Sequence, residues 1–173
     1  MTIYCVDGKP IFFKQLRAGK HGAPFFLLKY RTMSNNLSNL NHLSSDTARV
    51  TRLGKFLRAT SLDELPNLWN VLIGEISLIG PRPLPVSYLP LYNKKQARRH
   101  AVKPGITGLA QISGRNILSW NDRFNLDVYY VENVSLMLDI KILLMTFKVV
   151  MLRQGVNASK NISMEIFKGN GKG

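Results

Sequence analysis

The sequence is short of acids. Of its 173 residues only 10 are Asp or Glu, against 24 Lys or Arg, for a formal net charge of +14. Such a surplus seeks polyanionic partners, nucleic acid, anionic lipid or phosphorylated substrates, and composition alone does not choose among them. Cysteine is nearly absent. Cys5 is the single one, so no intramolecular disulfide and no cysteine-built metal centre can form. Long apolar runs are missing as well. No stretch of about 18 uncharged apolar residues occurs, so no simple helix spans a bilayer. Met1 to Pro10 is too polar and too short for a signal or anchor. His21, His42 and His100 have no Ser or Asp arrangement around them that suggests a catalytic triad.

What is present reads as one folded domain, with 45% apolar residues and a length that supports one core. Ile11 to Gln15 and Pro24 to Tyr30 read as short strands, with a basic, glycine-containing turn between them. Ser34 to Ser45 is a polar loop. A helix is expected from near Asp46 to Arg58, with Val50, Leu53 and Leu57 on one face. A second follows Ser61, with Leu65, Leu68, Trp69 and Leu72 apolar and Gly74 placed to end it. Ile76 to Ile79 is a short buried strand that runs into the stiff turn Gly80-Pro81-Arg82-Pro83. Val86 to Arg99 is expected to be helical, and Gly105 to Gly114 strand or loop. Ser119 opens a helix through Tyr130, and Ser135 caps a last one over about Leu136 to Gln154. Taken alone, that last helix reads as core; its lysines also suit a membrane interface.

Because carboxylates are scarce, the adjacent pair Asp63 and Glu64 stands out. Ser61-x-x-Glu64 reads as a capping box, and acids favour a first helical turn, which would account for both residues structurally. The same geometry suits chemistry. A helix N-terminus keeps a carboxylate ionised, an ionised aspartate can attack phosphorus, and magnesium takes hard carboxylate oxygens together with substrate phosphates. Transfer of a phosphoryl group needs cations around it. Candidates are Lys29, Arg31, Arg58, Arg115 and Arg82, the last held between two prolines that restrict its backbone.

Together these stretches resemble the bacterial sugar transferase family, the monotopic polyprenyl-phosphate phosphoglycosyl transferases. The resemblance rests on Phe13 to Lys20, Lys29 to Met33, Arg52 to Arg58, Thr60 to Val71, Ser77 to Pro83 and Lys103 to Gly108, in that order and spacing. The region Ser119 to Gly155 and the tail look most like the small subgroup that includes the campylobacter-type diacetamido-sugar transferase. The resemblance implies an α+β fold, mostly helical with a small sheet and amphipathic membrane-interface helices. It implies a catalytic domain over residues 1–155; beyond that the chain turns polar and ends Gly169-Asn170-Gly171-Lys172-Gly173, which reads as a flexible tail over 156–173. Asp63 matches the nucleophile and Glu64 the magnesium-binding partner, with Asp63 beside it at the metal. Arg82 matches a position associated with the nucleotide-sugar, and Lys29, Arg31, Arg58 and Arg115 fall among positively charged site positions. The implied reaction moves a sugar-1-phosphate from a UDP-sugar, N-acetylated or diacetamido, to polyprenyl phosphate, with Mg2+, at the cytoplasmic face of the inner membrane. It would initiate surface-glycan or glycoprotein-glycan assembly. Family members begin with a re-entrant membrane helix, and this chain begins just after its expected place. The rival readings are an inactive remnant of such an enzyme and a basic nucleic-acid-binding module. The latter rests on the charge and on Arg98-Arg99-His100; the resemblance implies no nucleic acid.

Overall fold

A computed structural model describes residues 8–34, 49–114, 118–152 and 166–170. Its elements make an α+β fold, helices around two small sheets, in agreement with the sequence pattern. The first sheet is an antiparallel hairpin of β1 (Phe12–Ala18) and β2 (Pro24–Tyr30). Its register sets Phe13 against Lys29, Gln15 against Leu27 and Arg17 against Phe25. Side chains alternate across a strand, so these six share one face. Phe25 and Leu27 on that face are buried with Ile76, and Val71 and Ile106 pack against them. The expected first strand stops at Gln15; the observed one continues to Ala18 and takes Arg17 into the ladder.

Helix α1 (Arg52–Ala59) is capped by Thr51, whose hydroxyl accepts from the Gly54 N–H at 2.9 Å. It begins later than the expected Asp46, and residues 46–48 lie outside the described ones. Gly54 lies so close to the Thr32 backbone that a Cβ would overlap it. That approach brings Arg58 onto Thr32, with Nε donating to Oγ1 at 2.9 Å.

A single 3-10 turn, Leu62–Glu64, then leads into α2 (Asn67–Leu72), and Gly74 closes it at φ +80°. The expected capping box does not form. Ser61 is left-handed at φ 57° and its side chain caps nothing. A capping serine needs extended backbone to aim its hydroxyl at the free N–H groups, and Ser61 lacks it. What fixes α2 is Asn70, which is 1% exposed. Its Oδ1 accepts from the Leu28 N–H at 3.2 Å, while Nδ2 donates to the Phe26 carbonyl at 2.9 Å and to Glu75 at 2.6 Å. One buried amide thus joins the helix to the β2 backbone, as a third strand would.

Strand β3 (Ser77–Ile79) pairs in parallel with β4 (Gly105–Thr107). Parallel strands require a crossover. The expected helix from Val86 to Arg99 supplies only fragments of it. A 3-10 stretch, Val86–Leu91, holds Pro90, and Tyr92 is extended. Asn93 restarts the chain as α3 (Lys94–Ala97) with a capping box to Gln96, followed by the 3-10 turn Arg98–Ala101. Proline removes a helical donor and crowds the preceding turn, which explains the break. Around β3 and β4 the main chains touch directly. A Cβ added to Gly80, Gly105 or Gly108 would land on neighbouring backbone atoms.

Helices α4 (Leu109–Ser113), α5 (Trp120–Glu132) and α6 (Leu136–Met151) complete the described fold. Ser119 and Ser135 cap the last two, as their positions predict. On α6 only Ile142 is buried, while Leu136, Met137, Leu144, Phe147 and Met151 are exposed. The core reading of this helix therefore fails. Among the described residues no helix is long and apolar enough to cross a membrane.

A second core joins Leu84, Phe124 and Phe167, with Tyr88, Tyr92 and Trp120 packed against them. Phe167 falls in the stretch expected to be a flexible tail. Within the described residues 166–170, Phe167 is buried and its N–H donates to the Tyr88 hydroxyl at 3.2 Å, while Asn170 bonds Gln96. Beside this core the Arg99–Asp127 ion pair is almost wholly buried, at 2.7 Å. Arg99 also donates to the Arg82 carbonyl at 2.7 Å, which holds the Pro-Arg-Pro turn from behind. Asp127→Asn would leave a buried guanidinium without its anion, at a cost of about 3–5 kcal/mol. In a chain of this size that lowers the melting temperature by roughly 10 °C. A thermal scan that finds the variant as stable as wild type would remove this pair from the account of the fold.

Candidate functional site

The Leu62–Glu64 turn lies over β2 because Asn70 holds α2 to that strand. Lys29 projects from the shared hairpin face toward the turn. Its Nζ lies 2.6 Å from Glu64 Oε1, and an Arg82 amino group reaches the same oxygen at 3.3 Å. One carboxylate is thus clamped by a cation from the hairpin and another from the Pro81-Arg82-Pro83 turn. Burial alone would push the Glu64 carboxyl up. The Arg82 and Lys29 charges, with a hydrogen bond from each, overcome burial and hold it at about 2. Burial and the Arg82 charge lower the Lys29 ammonium, and Glu64 offsets part of that effect.

Asp63 is placed differently. It has no ion pair among the described residues. Burial pushes its carboxyl above the ordinary aspartate value; Lys29 and Arg58 oppose the rise and Glu64 adds to it. The expected helix N-terminus is a single 3-10 turn here, which supplies little dipole, so burial outweighs it in setting the direction of the shift. The adjacent acids differ in role: Glu64 is held as a fixed anion, while Asp63 is unpaired and more basic than usual.

Beneath the turn opens a cleft lined by Arg17, Leu27, Lys29, Glu64, Asn67 and Arg82, among others. Arg17 and Asn67 are additions to the sequence reading. A strand that ends at Gln15 leaves Arg17 in the hairpin turn; strand alternation, with β1 extended to Ala18, places it on the Lys29 face. Asn67 is 3% exposed and its Oδ1 has no hydrogen-bond partner. An orphaned buried carbonyl is rare enough to require an account. Glu64 and Asn67 Oδ1 offer hard oxygens to the cleft, the donor type that suits a small divalent cation, while Asp63 is the neighbour of Glu64 in the turn and is not among the cleft's lining residues. Among the described residues no cluster of three or more His, Cys, Asp or Glu could hold a metal by itself. Any cation here would need further ligands from water or a substrate.

The other candidates divide. Arg58 lies on Thr32, within electrostatic reach of Asp63. Arg31 is buried and donates to the Gly8 and Lys9 carbonyls, at 2.7 and 3.0 Å, and it does not line the cleft. Arg115 lies outside the described residues. The Arg98-Arg99-His100 run is engaged within the fold. Arg98 pairs with Glu132 at 2.7 Å, Arg99 with Asp127, and His100 Nδ1 lies 3.0 Å from the Gly19 carbonyl.

Residues 1–153 match the family model described as bacterial sugar transferase. The chain is 52% identical over 164 residues to the uncharacterized sugar transferase EpsL of Bacillus subtilis, which covers 95% of this chain and 81% of that protein. It is 44% identical over 163 residues to the galactosyl transferase CpsE of Streptococcus agalactiae, covering 86% of this chain and 36% of CpsE. A UDP-glucose:undecaprenyl-phosphate glucose-1-phosphate transferase of Klebsiella pneumoniae is 42% identical over 147 residues, 79% of this chain and 32% of that enzyme. The chain thus spans most of the first relative and about a third of the other two.

Proposed function

The chain belongs to the bacterial sugar transferase family, and from that premise we propose that it moves a sugar-1-phosphate from a UDP-sugar to undecaprenyl phosphate through Asp63. One observation carries the choice of nucleophile: of two adjacent carboxylates, Glu64 is clamped by Lys29 and Arg82 while Asp63 has no ion pair among the described residues. A carboxylate of raised basicity that is free to approach phosphorus suits attack. An Asp63 oxygen bonds to the sugar-bearing phosphorus, the bond from that phosphorus to the bridging oxygen breaks, and UMP departs. An oxygen of the lipid phosphate then bonds to the same phosphorus. The Asp63–phosphorus bond breaks, the carboxylate is restored and the polyprenyl diphosphate sugar leaves.

Lys29 and Arg82 stabilise charge that builds on the phosphate oxygens, and Arg58 holds the approach to Asp63 positive. Magnesium, when bound, would neutralise the diphosphate; Glu64, Asp63 and Asn67 Oδ1 are the oxygens suited to hold it. The sugar is proposed to be a hexose or its acetamido derivative. The exposed apolar faces of α2 and α6, with the chain's positive charge, support a place at an anionic membrane surface.

The test uses anionic vesicles carrying undecaprenyl phosphate, magnesium and a panel of UDP-hexoses and UDP-acetamido sugars. The expected result is magnesium-dependent UMP release, stoichiometric without the lipid phosphate and catalytic with it. The protein should co-sediment with the vesicles, and salt should reverse that only in part. Absence of UMP release with every sugar, alongside a salt-sensitive shift of DNA, would replace this reading with the nucleic-acid one.

A further inference from the structure

We infer that Arg17 is a phosphate ligand, a third cation of the cleft that binds an oxygen of a phosphate ester beside Lys29 and Arg82. The inference rests on the transferase reading for what brings the ester there. Its basis is a count of charges and donors. Arg17, Lys29 and Arg82 line the cleft with a single carboxylate, Glu64, and that carboxylate is engaged by the other two cations.

Arg17 has no acidic partner among the described residues. One amino group donates to Gln15 Oε1 at 2.6 Å, while its Nε is buried with no hydrogen-bond partner. A buried charged donor left unpaired is costly and requires an account, and a bound acceptor supplies one.

The backbone that carries Arg17 is fixed. Arg17 bridges Pro85, and the Ala18 N–H donates to the Leu84 carbonyl at 3.0 Å. Strand β1 is therefore tied to the segment just after Arg82, and the two guanidiniums keep their spacing. Burial, and after it the neighbouring Arg82 charge, brings the Arg17 pKa down to about 10. A phosphate ester, with several acceptor oxygens and more than one negative charge, relieves that repulsion and fills the empty donor, because guanidinium and phosphate match as charge-assisted pairs.

Two esters share this chemistry, the nucleotide phosphate and the lipid phosphate, and the test separates them. UMP binding is measured by calorimetry on wild type, Arg17→Gln, Arg17→Lys and Lys14→Gln. Lys14 lies on the opposite, exposed strand face and serves as a control for bulk charge. In parallel, KM is measured for the UDP-sugar and for undecaprenyl phosphate. Arg17→Gln should weaken one partner about tenfold or more, the loss of a charge-assisted pair. Arg17→Lys should recover part of it, and Lys14→Gln should leave both unchanged.

Loss of UMP affinity with a raised KM for the UDP-sugar assigns the nucleotide phosphate. Retained UMP affinity with a raised KM for the lipid assigns the lipid phosphate. UMP affinity and both KM values unchanged in a folded Arg17→Gln variant overturn the inference. Calorimetry needs no turnover, so the two readings fail separately. Wild type that binds UMP through Arg17 but transfers nothing sinks the transferase reading alone. Turnover indifferent to Arg17 sinks this one alone.

Discussion

Replacing Asp63 with asparagine is expected to reduce transfer by about 10⁴-fold or more, the scale of losing a covalent nucleophile. No phosphosugar should be trapped on the variant. The fold should not suffer. Asp63 caps no helix and has no ion pair among the described residues. Its carboxyl is raised above the model-peptide value of 3.8, chiefly by burial. A raised carboxyl is more costly to ionise in the folded state than in the unfolded one. At neutral pH the native charge therefore subtracts from stability, and the variant should melt at the same temperature or slightly higher. In the metal-free protein the same shift means that Asp63 takes up its proton above the ordinary aspartate range, and transfer should fall on acidification once it is protonated. Near-normal transfer by Asp63→Asn, or mass spectra with a phosphosugar elsewhere on the chain, would remove Asp63 from the mechanism.

Glu64→Gln is expected to cost about 10²-fold in transfer, the usual scale for removing one preorganised electrostatic contact at a reacting phosphate or carbonyl. Its other consequences differ from those at Asp63. The carboxylate holds Lys29 and Arg82 in place, so its loss leaves three cations of one cleft without an anion. UMP, itself an anion, should bind the variant at least as tightly as wild type when magnesium is chelated. Transfer should lose its magnesium dependence.

Stability should change with pH in a definable window. The Glu64 pKa is lowered from 4.5 to about 2, so its ionised form stabilises the fold above 4.5. That contribution is lost as pH falls through the interval toward 2. Wild type should thus lose part of its stability in acid that the glutamine variant never had. Thermal scans between neutral pH and pH 2 check this. Two parallel curves would return Glu64 to a passive place on the surface.

Much of this site is legible in the sequence. Glu64, Lys29 and Arg82, all singled out in the sequence, meet in the fold, because stiff turns and scarce charges carry positional information in themselves. Ser119 and Ser135 announce their helices for the same local reason. The failures share a different cause: each depends on a partner distant along the chain. Ser61-x-x-Glu64 has the spacing of a capping box, but Glu64 is claimed by Lys29 and Arg82, from other elements. Arg17 escapes the sequence pattern because the apolar alternation fades after Gln15 although the strand runs to Ala18, and a few residues at a strand end decide whether a side chain joins its face. Phe167 sits in a polar stretch that local composition reads as tail, yet it fills an aromatic pocket made by residues far earlier in the chain. The pair Arg99–Asp127 joins two segments that look like ordinary polar helix.

The direct backbone contact of Gly80, Gly105 and Gly108 bears on how this enzyme can drift over evolutionary time. Where side chains set the spacing of two strands, a loss at one position can be made good by a gain at another. Here no side chain sets it. Alanine at any of the three would force the main chains apart, and Arg82 lies just past the first. Mutational tolerance is therefore sharply uneven. The aromatic core behind the turn can be repacked by compensating exchanges, as cores generally can, whereas the three glycines have no compensating partner to change. A library that varies both regions should return many active repacked cores and almost no survivors at the glycines.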